Sequence, residues 1–332
     1  MGDAGADLAQ RVLAGDRRAL ARAITLVEST RGDHRAQAEG LLAGLLDRTG
    51  GATRLGISGV PGVGKSTFIE AFGLHLIGQG HRVAVLAVDP TSSRTGGAIL
   101  GDKTRMQELS RTREAFIRPS PTGGTLGGVA RRTREAMLVC EAAGFDVVIV
   151  ETVGVGQSET VVAEMVDMFL LLLLPGGGDE LQGIKKGISE IADLLVVNKA
   201  DSGHEVAADQ AAAEYRSALR MIRPAGEGWQ PPVLTCSALE NRGLDGVWQS
   251  IREHDDVMRA SGRLWHRRAQ QARSWMWSEI ADSLQRAFRE HPGVAARLAE
   301  LERAVTEGRV PATRAARELL EVFQGGTGRT GE

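Results

Sequence analysis

The sequence predicts an α/β fold: a phosphate-loop domain built on a mostly parallel sheet, with a helical N-terminal extension and a helical C-terminal arm. Three observations predict it. From residue 53 to about 240, strand, loop and helix alternate, with candidate strands at 53–58, 82–88, 115–118, 146–150, 168–174, 193–198 and 232–236. Most are continuous apolar runs, as expected of parallel strands covered on both faces. Second, Gly59-Val60-Pro61-Gly62-Val63-Gly64-Lys65-Ser66 is a complete G-x-x-x-x-G-K-[ST] loop, lying between the apolar run Leu55-Gly56-Ile57-Ser58 and a helical stretch from Phe68 to Leu76. Third, both ends of the chain carry helical periodicity. The expected division is 1–50 extension, 51–258 phosphate-loop domain, 259–324 helical arm and 325–332 flexible tail.

In the extension, Leu8, Val12, Leu20, Ile24, Val27, Leu41, Leu42, Leu45 and Leu46 recur at helical spacing, broken near Gly15-Asp16 and Gly32-Asp33. Asp16 and Asp33 are the expected N-caps. No catalytic constellation is visible in this part.

The loop from Gly59 to Ser66, with Thr67 after it, sets the chemistry. Glycines let backbone N–H groups and a helix N-terminus point at an anion. Lys65 can reach the β- and γ-phosphates of a nucleotide, and the Ser66 hydroxyl can ligate Mg²⁺. Strand 82–88 delivers Asp89 toward the same place, where it can hold Mg²⁺ directly or through water. The loop after it mixes glycine, hydroxyls and charges without a period, and its Asp102 can join the metal shell. A second turn-rich loop runs from Pro119 to Gly128, with no chemistry that can be named for it. Strand 146–150 runs into Glu151-Thr152-Val153-Gly154, an acidic residue closing a buried strand as nucleotide hydrolases place one near the metal. Gln157 does not have the spacing of a water-orienting glutamine. The glycine-rich stretch from Gly176 to Gly187 carries Asp179, Gln182 and Lys185 in a mobile-loop composition.

Strand 193–197 ends in Asn198-Lys199-Ala200-Asp201. In N-K-x-D the aspartate accepts from the N1–H and exocyclic amine of guanine, a donor pair that adenine lacks. The lysine stem covers the purine face and the asparagine tethers the loop. Ser237-Ala238-Leu239, after the last strand, matches the S-A element whose backbone N–H meets the guanine carbonyl. The nucleotide reads as GTP.

Beyond residue 243 the chain is helical. Ala272, Met276, Ile280, Leu284 and Phe288 form an i, i+4 stripe, with Trp265, Trp275 and Trp277 adding apolar area, a pattern that suits a subunit interface as well as burial within the chain. Arg263, His266, Arg267, Arg268 and Arg273 read as a solvated face.

Composition narrows the function further. A net charge of -2 argues against a non-specific nucleic-acid binder. Two isolated cysteines and 7 scattered histidines show no disulfide framework and no zinc spacing, which suits a reducing cytosol. The apolar run from Met168 to Pro175 is too short to cross a bilayer, and no leader pattern appears, so the expected location is cytoplasmic.

The segments GVPGVGKST (59–67), AVDPTSSRTGGAILGDKTRM (87–106), RPSPTGGTLGGVA (118–130), ETVGVGQSE (151–159), GDELQGIKKGI (178–188) and NKAD (198–201) together resemble the MeaB/ArgK-type GTPases. WMW at 275–277 fits as well. The resemblance implies a GTPase, hydrolysing GTP to GDP and phosphate, that accompanies adenosylcobalamin-dependent methylmalonyl-CoA mutase. It would gate cofactor loading and protect or reactivate the mutase, with an adenosyltransferase as a further associate. It implies a homodimer held by the C-terminal arm, and no tightly bound cobalamin. Lys65, Asp102 and Glu151 would be catalytic; Ser66, Asp89, Asp102 and Glu151 would surround Mg²⁺; Asp179, Gln182 and Lys185 would couple to the partner. The alternatives are a metal-insertion GTPase of the nickel type, which usually carries His-rich tracts, and a P-loop metabolic kinase, which would need a general base that the sequence does not show.

Overall fold

The computed structural model describes residues 3–88, 106–119, 126–152, 158–176, 191–222 and 228–326. Asp89, Asp102, Gln157, Asp179, Gln182 and Lys185 lie outside them. The chain divides into two compact units, residues 1–271 and 272–332.

The first unit is built on a seven-stranded sheet: β1 (Thr53–Gly59), β2 (Val83–Val88), β3 (Ala115–Arg118), β4 (Val147–Thr152), β5 (Met168–Leu173), β6 (Leu194–Val197) and β7 (Val233–Thr235). The strand order is β3-β2-β4-β1-β5-β6-β7 and all six pairings are parallel. Every predicted strand is present. Two run further than predicted: β1 reaches Gly59, which pairs with Leu172, and β4 continues through Glu151 and Thr152, because both keep ladder partners on β2 (Ala87 and Val88) and the Thr152 hydroxyl donates to Ser58 Oγ at 2.8 Å.

Side chains alternate across this sheet. Leu55, Ile57, Val83, Val85, Ile149, Leu170 and Val196 face α4 (Lys65–Gly78), α5 (Gln107–Arg111) and α9 (Leu244–Ala260), burying Phe68, Phe72 and Trp248. The other face packs on α6 (Leu126–Ala142), α7 (Ser158–Ala163) and α8 (Glu205–Ile222). Gly56 is required there: a Cβ would stand 2.9 Å from both Phe169 and Val162 side chains.

The extension forms α1 (Asp3–Leu13), α2 (Arg17–Val27) and α3 (Gly32–Leu45), packed on one another and on α6. Asp16 caps α2 as predicted, accepting from the backbone N–H of Arg18 (2.8 Å) and Ala19 (3.1 Å). Asp33 does not cap α3. It lies inside the first turn and pairs with Arg31, which holds the cap position without a side-chain bond. Gly32 before it adopts the helical conformation, so the helix begins two residues earlier than a cap at Asp33 would set it.

A long helix, α10 (Arg263–Glu290), crosses from the first unit into the second, which continues with α11 (Pro292–Thr306) and α12 (Ala312–Gly326). Val294, Leu301, Ala315 and Leu319 form the small core of the second unit, with Phe288 and Phe323 packed edge-on at 5.5 Å. Met276, Ile280, Leu284 and Trp277 stay exposed along α10. Among the described residues, no helix is long and apolar enough to cross a membrane.

Candidate functional site

The phosphate loop leaves the carboxyl end of β1, between β4 and β5, where strand order reverses and open α/β sheets bind ligands. Gly59 closes β1, and a Cβ there would lie 2.7 Å from the Leu172 carbonyl oxygen. Gly62 and Gly64 turn the loop with φ of 82° and 85°, which side-chain-bearing residues rarely adopt. Val63 is fully buried and pins the loop to the core, while Pro61, Gly62 and Thr67 are exposed and Val60 and Ser66 half-buried. Lys65 opens α4, and its Nζ donates to the Gly59 carbonyl at 2.6 Å, folding the side chain back over the loop. Burial pushes the Lys65 amine below its usual range, against the pull of Glu151 and Glu159. Glu151 is buried on β4 beside β1, in register with Ile57. The Ser66 hydroxyl makes no hydrogen bond among the described residues. A hydroxyl and a carboxylate are hard oxygen donors, of the type Mg²⁺ takes.

The second cluster is bound to the first through Asn198. Its Nδ2 donates to the Val63 carbonyl at 2.9 Å, and its Oδ1 accepts from the Ala238 N–H at 3.2 Å and the Cys236 thiol at 3.5 Å. Burial raises that thiol to about 12, so it stays protonated and donating. One amide thus joins the phosphate loop, the end of β6 and the end of β7. Lys199 sits at φ 62° and is exposed, with its stem over Gly64, within 3.7 Å of where a Cβ would stand. Asp201 is buried, and the buried Ser237 hydroxyl donates to its Oδ2. That leaves Oδ1 as the acceptor for an outside donor.

The structure therefore brings together Gly59 to Thr67, Glu151, Asn198, Lys199, Asp201, Ser237, Ala238 and Leu239 at the carboxyl edge of one sheet. The Ala238 N–H is already engaged by Asn198 and the Ser237 N–H by the Arg242 carbonyl at 3.0 Å. Leu239, exposed, carries the N–H of the three that has no partner among the described residues.

Two participants are not visible in the sequence motifs. Arg242 donates to the Ala200 carbonyl at 2.8 Å and pairs with Glu240 (2.8 Å) and Glu205 (3.4 Å), tying the N-K-A-D turn to the loop after β7. Arg268, predicted on a solvated face, is buried. It forks onto Asp167 (Nε–Oδ1 2.8 Å, Nη2–Oδ2 2.6 Å) and donates to the Ala52 and Gly50 carbonyls. Asp167 also accepts from the Arg54 N–H at 2.9 Å, and Arg54 pairs with the buried Glu141. The only advance signal is that Arg54 interrupts an apolar strand. The other features of this network are spread from residue 50 to 268, beyond any local pattern.

Fold and site define a P-loop nucleotide-binding protein whose loops are arranged as in GTPases. A family model described as "Methylmalonyl Co-A mutase-associated GTPase MeaB" matches residues 20–293. The chain belongs to this MeaB family. It is 55% identical over 279 residues to GTPase ArgK of Escherichia coli, covering 84% of each chain. It is 50% identical over 320 residues to the mitochondrial methylmalonic aciduria type A homolog of Mus musculus, covering 93% of this chain and 77% of the mouse protein. A solved structure described as LAO/AO transport system kinase superposes with a TM-score of 0.74 at 42% identity, covering 96% of this chain and 97% of its own. That structure is described as a kinase, whereas the family model and ArgK are named GTPases.

Proposed function

We propose that this chain is a GTP-hydrolysing chaperone of an adenosylcobalamin-dependent methylmalonyl-CoA mutase, gating cofactor loading and protecting or reactivating the mutase. The observation that carries the nucleotide reading is the Asn198 tether. It holds a buried, acceptor-only carboxylate at a fixed position relative to the phosphate loop, so base and phosphates are read together. The family description carries the partner.

Lys65 leaves the Gly59 carbonyl for the β- and γ-phosphate oxygens, whose negative charge offsets its burial. Asp201 Oδ1 accepts from the base, and the Leu239 N–H donates to the base carbonyl. Ser66 and Glu151, with Asp89 and Asp102, would surround Mg²⁺, which when bound neutralises charge on the β- and γ-phosphates. Water attacks the γ-phosphorus and GDP departs with the bridging oxygen. A partner that orders the loop bearing Asp179, Gln182 and Lys185 would accelerate this step. The exposed stripe Met276, Ile280 and Leu284, with Trp277, is the surface through which the arm would form a homodimer.

The test uses Asp201→Asn. With Ser237 holding the amide oxygen, the amide NH₂ faces the base, where it opposes the two guanine donors and suits the second carbonyl of xanthine. Loss of two charge-assisted bonds of about 1.5 kcal/mol each weakens GTP by roughly a hundredfold. Unchanged GTP affinity with no gain for xanthosine triphosphate refutes the nucleotide reading. The partner reading is tested by GTP turnover with and without the mutase: Lys185→Ala should keep GTP affinity within about threefold, or roughly 0.65 kcal/mol, and lose the mutase-induced acceleration. A wild-type chain whose turnover the mutase leaves unchanged refutes the partner.

A further inference from the structure

At the amino-terminal edge of the sheet, opposite to the nucleotide loops, a cleft of about 490 Å³ lies between the α1–α2 turn and the entries to β2, β3 and β4. Its floor is apolar, made by the buried Leu20, Ala143 and Phe145. Three arginines line it from three separate segments: Arg17 at the start of α2, Arg82 before β2 and Arg113 before β3.

None of the three pairs with a carboxylate among the described residues. Arg17 donates to the Arg113 carbonyl at 3.0 Å. Arg82 spends one nitrogen on the Ala143 and Gly144 carbonyls (3.0 and 3.2 Å) and lies over the Phe145 ring at 4.7 Å. The Arg113 guanidinium makes no hydrogen bond among the described residues. Nearby carboxylates are engaged elsewhere: Asp16 by Arg11 and the α2 cap, Asp146 by His81 and the Arg82 N–H. Glu114 is the one carboxylate in the lining. In a chain of net charge -2, the lining of this one concave place thus carries three guanidinium groups against a single carboxylate.

We propose that this cleft binds a small organic phosphate, at a site separate from the nucleotide site. Guanidinium forks recognise phosphoryl oxygens in pairs, and forks from three directions suit a tetrahedral group better than a planar carboxylate. A concave site with an apolar floor and few polar groups has the character of a small-molecule pocket. Glu114 can accept from a hydroxyl of the ester and opposes a bare polyanion. The ligand class is therefore a hydroxyl-bearing phosphate or diphosphate ester, for which ADP is the probe.

The experiment is calorimetric titration of ADP into the full chain saturated with GDP and Mg²⁺, so that the phosphate loop is occupied. One ADP per chain is expected with Kd below about 1 mM, and inorganic pyrophosphate should bind more weakly. Replacing the exposed pair (Arg17→Gln with Arg113→Gln) removes two charge-assisted donors and should weaken ADP by roughly tenfold or more. GDP affinity and thermal stability should stay as in the wild type. Lys65→Ala, which disables the phosphate loop, should still bind ADP. The proposal is overturned by no ADP binding at that concentration, by binding that survives loss of both arginines, by tighter binding of pyrophosphate, or by binding that Lys65→Ala abolishes. The last result would place ADP in the nucleotide site.

Discussion

Asn198→Ala separates the two halves of the site. Asn198 is 2% exposed, and its side chain holds the Val63 carbonyl, the Ala238 N–H and, weakly, the Cys236 thiol. Alanine leaves the first two unpaired in a buried place, at about 1–3 kcal/mol each, so the total is roughly 2–6 kcal/mol before relaxation. Part of this falls on folding. For a unit of this size each kcal/mol lowers Tm by about 2–4 °C, so a loss of about 2 kcal/mol lowers it by roughly 4–8 °C. The remainder falls on binding, because the phosphate loop and the N-K-A-D turn must then be brought into register by the ligand. A residual of about 1.4 kcal/mol raises Kd for GDP tenfold. The assay is titration with a fluorescent GDP analogue, paired with melts of the empty and GDP-loaded variant. Kd within twofold of the wild type refutes the tether, whatever happens to Tm.

Three further outcomes are expected. Arg268→Met leaves the Asp167 carboxylate buried without its cationic partner and should cost about 3–5 kcal/mol, read as a fall in Tm; Asp167→Leu added to it should recover much of the loss, and an unchanged Tm in the single variant contradicts the buried pair. Arg242→Ala removes the bond to the Ala200 carbonyl, worth roughly 1 kcal/mol, and should lower the preference for GDP over IDP about fivefold, with Arg242→Lys in between; equal weakening of both nucleotides would give Arg242 a merely structural part. His254 is buried against Trp229 at 5.0 Å, and burial holds its ring below the usual histidine range, opposed by Asp193. The unfolded chain therefore takes up a proton near pH 6.5 that the folded chain refuses, so stability falls as pH drops through that value. His254→Phe should flatten the difference in Tm between pH 7.5 and 5.5, and an equal difference in both proteins excludes this origin.

Much of the site could be read from the chain because its chemistry is local. The glycines at 59, 62 and 64 are needed for backbone reasons that act within a few residues, and Lys65 and Ser66 follow them by helix geometry. Asn198 to Asp201 sit where a buried strand ends, and an apolar run announces that end. The strands themselves were legible because a parallel sheet covered on both sides demands continuous apolar runs. Asp33 shows where local reading stops: its side chain suits a cap, yet the helix already begins at Gly32, Arg31 holds the cap position, and the Asp33 carboxylate pairs with the Arg31 guanidinium.

The sequence by itself determined the seven strands, the phosphate loop and the base-reading turn, since each rests on backbone conformation and on neighbours a few positions away. Only the tertiary structure decided the order in which the strands pair, and that order brings Glu151 beside the phosphate loop. It also decided that the Ala238 N–H serves Asn198, while the Leu239 N–H has no partner among the described residues. The burial of Arg268 was decided the same way, by carbonyls and a carboxylate up to 218 positions distant. Such contacts leave no period and no spacing in the sequence, because a hydrogen bond is set by distance in space and not along the chain.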